Sequence, residues 1–257
     1  MKKRLSFLAL TAVLLTAVAC TSHYRLTSVS RERLVVDNRY DRQPDQQAIA
    51  FLAPYKHVVD SIMGPVQGTV AHNMTSGRPE SDLPNLIADI LLWAGVKYGE
   101  KPDFAVQNIG GVRADLTKGD VTYGDILAVA PFENKICFLT LTGSKVMELF
   151  QQIARRGGEA VSHGVELVLT PDNQLASARI NGREIDPDDR YRVATIDYLA
   201  QGNDGLTAFQ SGTDLNAPKA DSNNTRFIIM DYFREQHAKG VVVDSKVEGR
   251  VKSLSEK

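Results

Sequence analysis

Three stretches of this 257-residue sequence carry residue types that could hold a small ligand. In the first, Asn108, Gly110, Gly111 and Arg113 follow an apolar run at 104–106. Asparagine offers both a carbonyl and an amide, and arginine offers a planar fork that fits phosphate or carboxylate. Glycines adopt backbone conformations closed to other residues and let a ligand come close. Alone, this stretch reads first as a glycine turn whose arginine sits in a structural salt bridge. Two further stretches change the weighing. Phe132 follows Pro131 in VAPFENK (129–135), and Tyr198 and Asp204 stand around a tight turn in ATIDYLAQGNDGLTAF (194–209). Two aromatics at loop mouths can clamp a flat ring from both faces, worth about 1–3 kcal/mol per stacking partner in nucleic-acid systems. An aspartate beside glycines can accept hydrogen bonds from vicinal hydroxyls, as acidic residues do for ribose in dinucleotide folds.

Other chemistry is missing. The histidines are His23, His57, His72, His163 and His237, and no two stand at H-x-H or H-x-x-x-H spacing. A two-metal phosphoesterase centre needs clustered His, Asp and Asn ligands, which this pattern does not offer. There is no P-loop, nucleophile elbow or zinc-finger pattern. No catalytic residue, metal ligand or cofactor site is therefore expected in this chain. Acids number 31 and bases 30, so no overall field favours a nucleic-acid polymer. Cys137 lies in the apolar run 136–139 and reads as a buried structural thiol, not a nucleophile.

The recognition stretches need a scaffold, and apolar periodicity outlines one. Ile49, Phe51, Leu52, Tyr55, Val58, Val59 and Ile62 recur at helical spacing and predict a helix over 46–62, ended by Gly64 and Pro65. Short strands are expected at 34–36 and 66–70. Asp82 is a candidate cap for the next helix, with Pro84 in the first turn, where a missing N–H costs little. Leu83, Leu86, Ile87, Ile90, Leu91 and Ala94 form that helix's buried face. A strand over 104–106 leads into the glycine stretch. Thr122 opens a short helix to Val129, and 135–141 reads as a strand. Thr142 caps a helix with the stripe Val146, Leu149, Phe150 and Ile153, ended by Gly157 and Gly158. The second half is richer in strand, at 165–169, 177–180 and 191–195, with a turn at Asn181 and Gly182. A helix over 224–237 and a strand over 241–243 follow. Strands and helices mix without strict alternation, which predicts an α+β fold: a single domain with a mixed β-sheet and flanking helices.

The N-terminus reads as a targeting segment. Lys2, Lys3 and Arg4 precede an apolar stretch at 5–19, and small residues at 17–19 precede Cys20. A cysteine in that place resembles the lipobox of bacterial lipoproteins, although leucine is usual where Ala17 stands. The expected organisation is a lipoprotein signal peptide over 1–20 with Cys20 as lipid attachment, a polar tether over 21–44, and the domain over 45–257. The other reading is a plain signal cleaved near Ala19. Acyl chains would tether an otherwise soluble domain to a membrane face.

Ordered motifs then point to a family. ESDLPNLIADIL (80–91) is similar to an E-S-x-L-G-N-L-x-x-D-A segment. NIGGVRADLTKGDVTYGDILAVAPFENKICFLTLTG (108–143) is similar to N-x-G-G-I-R, then G-x-[IV]-T-x-x-D, then P-F-x-N and a closing L-x-G. DYLAQGNDGLTAF (197–209) is similar to [ND]-F-L-A-x-G-G-D-G-[FY]. Across roughly residues 45–250 the sequence resembles the C-terminal, substrate-binding domain of the 5′-nucleotidases. The resemblance implies that Phe132 and Tyr198 sandwich the base and Asn108 bonds it. It implies that Asp204 holds the ribose hydroxyls and Arg113 reaches ribose or phosphate, with Arg78 as a second phosphate-side arginine. Pro84 and Asn203 replace glycines of the pattern, and Tyr198 replaces phenylalanine.

Family enzymes also carry an N-terminal metallophosphoesterase domain with two metal ions, for which residues 21–44 are too few. The expectation is a nucleotide-binding part of a split 5′-nucleotidase, with divalent metals brought by a separate metallophosphoesterase subunit. The alternative is a non-catalytic lipoprotein that binds nucleosides or nucleotides for scavenging or sensing. Either would be exported and lipid-anchored to a bacterial membrane, on its periplasmic or cell-surface face.

Overall fold

The structure, a computed structural model, describes residues 24–40 and 44–254. The signal segment, its Cys20 and His23 lie outside the described residues. The chain divides into two units, Met1–Phe51 and Leu52–Lys257. In the first, residues 24–36 have no regular structure, so the strand expected at 34–36 does not form. Leu34 and Val36 are exposed, and among the described residues no strand pairs with them. β-Branched side chains favour a strand mainly through packing on neighbouring strands. Helix α1 (Gln46–Met63) begins in this unit and runs into the next. Asp45 starts it by accepting the N–H groups of Gln47 and Ala48 at 2.9 and 3.1 Å. The helix expected over 46–62 forms, and no residue of α1 is buried.

The unit from Leu52 continues with β1 (Val66–Val70), α2 (Asp82–Ala94), β2 (Phe104–Gln107), β3 (Gly119–Thr122) and α3 (Tyr123–Val129). Next come β4 (Ile136–Thr142), α4 (Gly143–Arg155), β5 (Ala160–Val161), β6 (Val165–Leu169), β7 (Leu175–Ile180) and β8 (Arg183–Glu184). Then follow β9 (Arg190–Ile196), α5 (Asp197–Ala200), β10 (Thr213–Asn216), α6 (Thr225–Ala238) and β11 (Val251–Ser253). Its strands form a five-stranded sheet β10-β4-β9-β2-β5, a four-stranded sheet β11-β6-β7-β8 and the antiparallel pair β1-β3. Each larger sheet contains one parallel pair, β2 with β9 and β11 with β6, so both are mixed. The strand expected at 241–243 reduces to a single bridge from Val243 to Val70.

Local signals mostly act as read. Thr122 and Asp125 form a reciprocal capping box on α3. The cap of α2, however, is Ser81, and Asp82 is the first helical residue. The Asp82 carboxylate is drawn away by the Thr75 N–H at 2.8 Å and lies 3.1 Å from His72. The apolar face of α2 is buried as its period predicts, and it joins Phe104, Phe138, Phe150 and Phe233 in one core. Burying side chains of this size contributes about 1.5–3 kcal/mol each.

The topology of the five-stranded sheet decides where a site can lie. β2 and β9 are parallel, so both chains leave the sheet at the same end. β4 and β5 run antiparallel to these neighbours and enter at that end, with Ile136 opposite Ile196 and Ala160 opposite Gln107. The segments after β2 and β9 and before β4 and β5 are therefore gathered at one edge. These segments contain the three recognition stretches.

Candidate ring-binding cavity

A cavity of about 300 Å³ opens at that sheet end, within the range of small-ligand sites. Arg78, Asn108, Phe132, Tyr198 and Asp204, all expected from the sequence, line it together. Arg113 does not line it. Its guanidinium lies 6.0 Å from the centre of the Phe132 ring and donates to the Gly110 carbonyl at 3.3 Å. Gly110, Gly111, Asn134 and Arg156 complete the lining, and the sequence reading had assigned a role to neither Asn134 nor Arg156. A second, wider depression at His163, Glu248 and Lys252 has no aromatic wall, and His163 and Glu248 already face each other at 3.1 Å.

Exposure separates the two cavity aromatics from core residues. Phe104, Phe138, Phe150, Phe209 and Phe233 are at most 1% exposed, whereas Phe132 is 48% and Tyr198 36% exposed. Phe132 sits on the loop between α3 and β4, and Tyr198 in the first turn of α5. The Tyr198 hydroxyl donates to Asp204 at 3.0 Å. That bond, with the nearby carboxylate charge, raises the phenol pKa above its ordinary value. Asp204 also accepts from the Asn108 amide at 2.8 Å and lies 3.6 Å from Arg156. It holds a left-handed backbone, φ 57°, between Gly202 and Gly205. Asn203, which replaces a glycine of the family pattern, does not adopt it. An aspartate there costs roughly 1–2 kcal/mol, and its side-chain bonds offset that strain.

Behind the lining stands a carboxylate that the motif reading missed. Glu159 is 1% exposed, just before β5. One of its oxygens takes Arg78, and Arg156 donates to the same oxygen at 2.6 Å. The other accepts the Ile109 N–H, in the glycine stretch, at 2.6 Å. Arg78 further donates to the Gly158 carbonyl at 2.8 Å. Gly158 has φ 105°, and a Cβ there would lie 2.4 Å from the Pro79 carbonyl oxygen, so only glycine fits. The signal was present as Arg-Arg-Gly-Gly-Glu at 155–159, but it looked like an ordinary helix end. Gly111 is glycine for space and not for conformation: its φ is not positive, and a Cβ would lie 2.9 Å from Asn108 Oδ1.

Cys137 is fully buried in β4, and burial pushes its thiol up to about 12, so it is no nucleophile. Glu80 and Asp89 are structural. Glu80 accepts the N–H groups of Glu248 and Gly249, and Asp89 pairs with buried Arg250 at 2.7 Å.

At this end of an α+β fold, two exposed rings, two arginines and a bonded Asn–Asp pair face one cavity. Comparison with known proteins gives the family. The family described as "5′-nucleotidase, C-terminal domain" matches residues 63–211, more than half of the chain, and the chain belongs to that family. It is 35% identical to the trifunctional nucleotide phosphoesterase protein YfkN of Bacillus subtilis over 193 residues, 68% of this chain and 12% of that protein. It is 29% identical to the cell wall protein Lmo0130 of Listeria monocytogenes over 186 residues, 66% of this chain and 23% of that one. A solved 5′-nucleotidase precursor from Thermus thermophilus superposes with a TM-score of 0.70 at 25% identity, covering 82% of this chain and 44% of that chain. The chain thus spans less than a quarter of the length of these two curated relatives.

Proposed function

We propose that this chain holds the base and ribose of a nucleoside phosphate for 5′-nucleotidase chemistry, while a separate metallophosphoesterase supplies the metal ions. The observation that supports this reading is the pair of exposed rings, Phe132 and Tyr198, on one cavity with the bonded Asn108 and Asp204. The rings would take the base from its faces and Asn108 would bond its edge. Asp204 would hold the ribose hydroxyls, and Arg78 would reach ribose or phosphate, while Arg113 stands outside the cavity beside the Phe132 ring. Such positioning fixes the phosphate at the partner's metals and removes much of the entropic cost of the reaction. Among the described residues no three His, Cys, Asp or Glu side chains converge to hold a metal ion, so no metal-bound step is assigned to this chain. We further propose export and lipid anchoring through Cys20; the positive, apolar, small-residue pattern before it supports this, as does likeness to a cell wall protein.

The test is a phosphate-release assay with AMP and divalent metal. The purified chain is expected to release no phosphate alone, and release is expected when a metallophosphoesterase partner is added. Robust metal-dependent turnover by the chain alone would contradict the proposal.

A further inference from the structure

Among the described residues one buried side-chain polar atom has no hydrogen-bond partner, the Oε1 of Gln107. Gln107 is 6% exposed and ends β2, directly before Asn108. Its polarity is fixed by a relay. The Asp204 carboxylate accepts only, so Asn108 must turn its NH2 to it. That leaves Asn108 Oδ1 facing Gln107, whose NH2 donates to it at 3.2 Å. The Gln107 carbonyl oxygen is then the free end, and flipping the amide would set two carbonyl oxygens against each other.

Gln107 is among the residues around a void with room for one water-sized group, about 10 Å³, which shares Gly111, Phe132 and Asn134 with the main cavity. Much of its wall is apolar, with Ile87, Val129 and Ile229. A buried acceptor left unmade is costly, and a site built around one discriminates against ligands that cannot donate to it. We infer that Gln107 is a base-reading residue: its Oε1 accepts from the exocyclic amine of a nucleobase whose edge enters between Phe132 and Gly111. The inference rests on the nucleotide-binding reading of the cavity. An oxo group in the same place would meet oxygen with oxygen, and a bare C–H would leave the acceptor unpaired. The site would therefore prefer amino bases.

Calorimetric titration with adenosine and purine riboside, which differ only in the 6-amino group, tests this. The wild-type protein is expected to bind adenosine about tenfold more tightly. In Gln107→Met the two ligands are expected to bind within about twofold of each other. Equal wild-type affinities would overturn the inference while leaving the nucleotide reading intact. Binding of neither ligand would overturn both. If the variant does not fold, the wild-type pair of titrations decides alone.

Discussion

Tyr198 does two things at once. Its ring faces the cavity, and its hydroxyl donates to Asp204. Tyr198→Phe keeps the ring, so adenosine affinity is expected to stay within about threefold, whereas Tyr198→Ala removes a stacking surface and should cost roughly tenfold or more. Equal losses in both variants, read by calorimetry, would mean that the hydroxyl and not the ring matters. The same bond has a pH signature. A phenol whose folded pKa is raised contributes stability fully present below its unfolded value of about 10, lost as pH rises through the folded value. Ultraviolet titration should show Tyr198 ionising late beside Tyr98 and Tyr232, whose phenols burial also raises, and Asp204→Asn should bring only Tyr198 back towards the ordinary value. At this scale the sequence revealed groups with visible chemistry. Asn108, Phe132, Tyr198 and Asp204 reach the cavity because their motifs flank strand ends, and Arg78 reaches it from the segment before α2, held by Glu159 and Gly158. Gln107, Arg156 and Glu159 were not legible, since their roles depend on which chain ends meet in space. Arg113 was legible as a charge but not as a partner of Phe132.

Among the elements, β5 is short, yet the residue before it ties three others together. Glu159 joins Arg78, Arg156 and the glycine stretch after β2. Glu159→Ala leaves two guanidinium groups and one N–H without their carboxylate. Because each arginine is about a third exposed, the expected cost is discounted to roughly 2 kcal/mol from the value for a fully buried pair. Urea unfolding measures it, and a loss under about 0.5 kcal/mol, typical of an indifferent surface change, would contradict the tie. The elements themselves were largely written in the sequence. α2 and α4 carry clear apolar stripes, and the glycines at 157 and 158 stop the chain with φ 75° and 105°. One failure came where local propensity had to stand in for tertiary contact. The residues at 34–36 have strand propensity and, among the described residues, no partner strand.

For the whole molecule, order in sequence becomes proximity only through sheet topology. The parallel β2 and β9, flanked by antiparallel β5 and β4, bring motifs some 90 residues apart to one end. The mixed α+β class followed from the pattern of elements; three sheets instead of one did not, because pairing partners are long-range. The central claim is that this sheet end binds a nucleotide. Calorimetric titration of the protein with AMP and adenosine, beside Phe132→Ala, tests it most directly. The account predicts saturable binding of both ligands by the wild type, weakened about tenfold or more when the Phe132 ring is removed. Binding that is the same with and without that ring, or no binding at all, would contradict it.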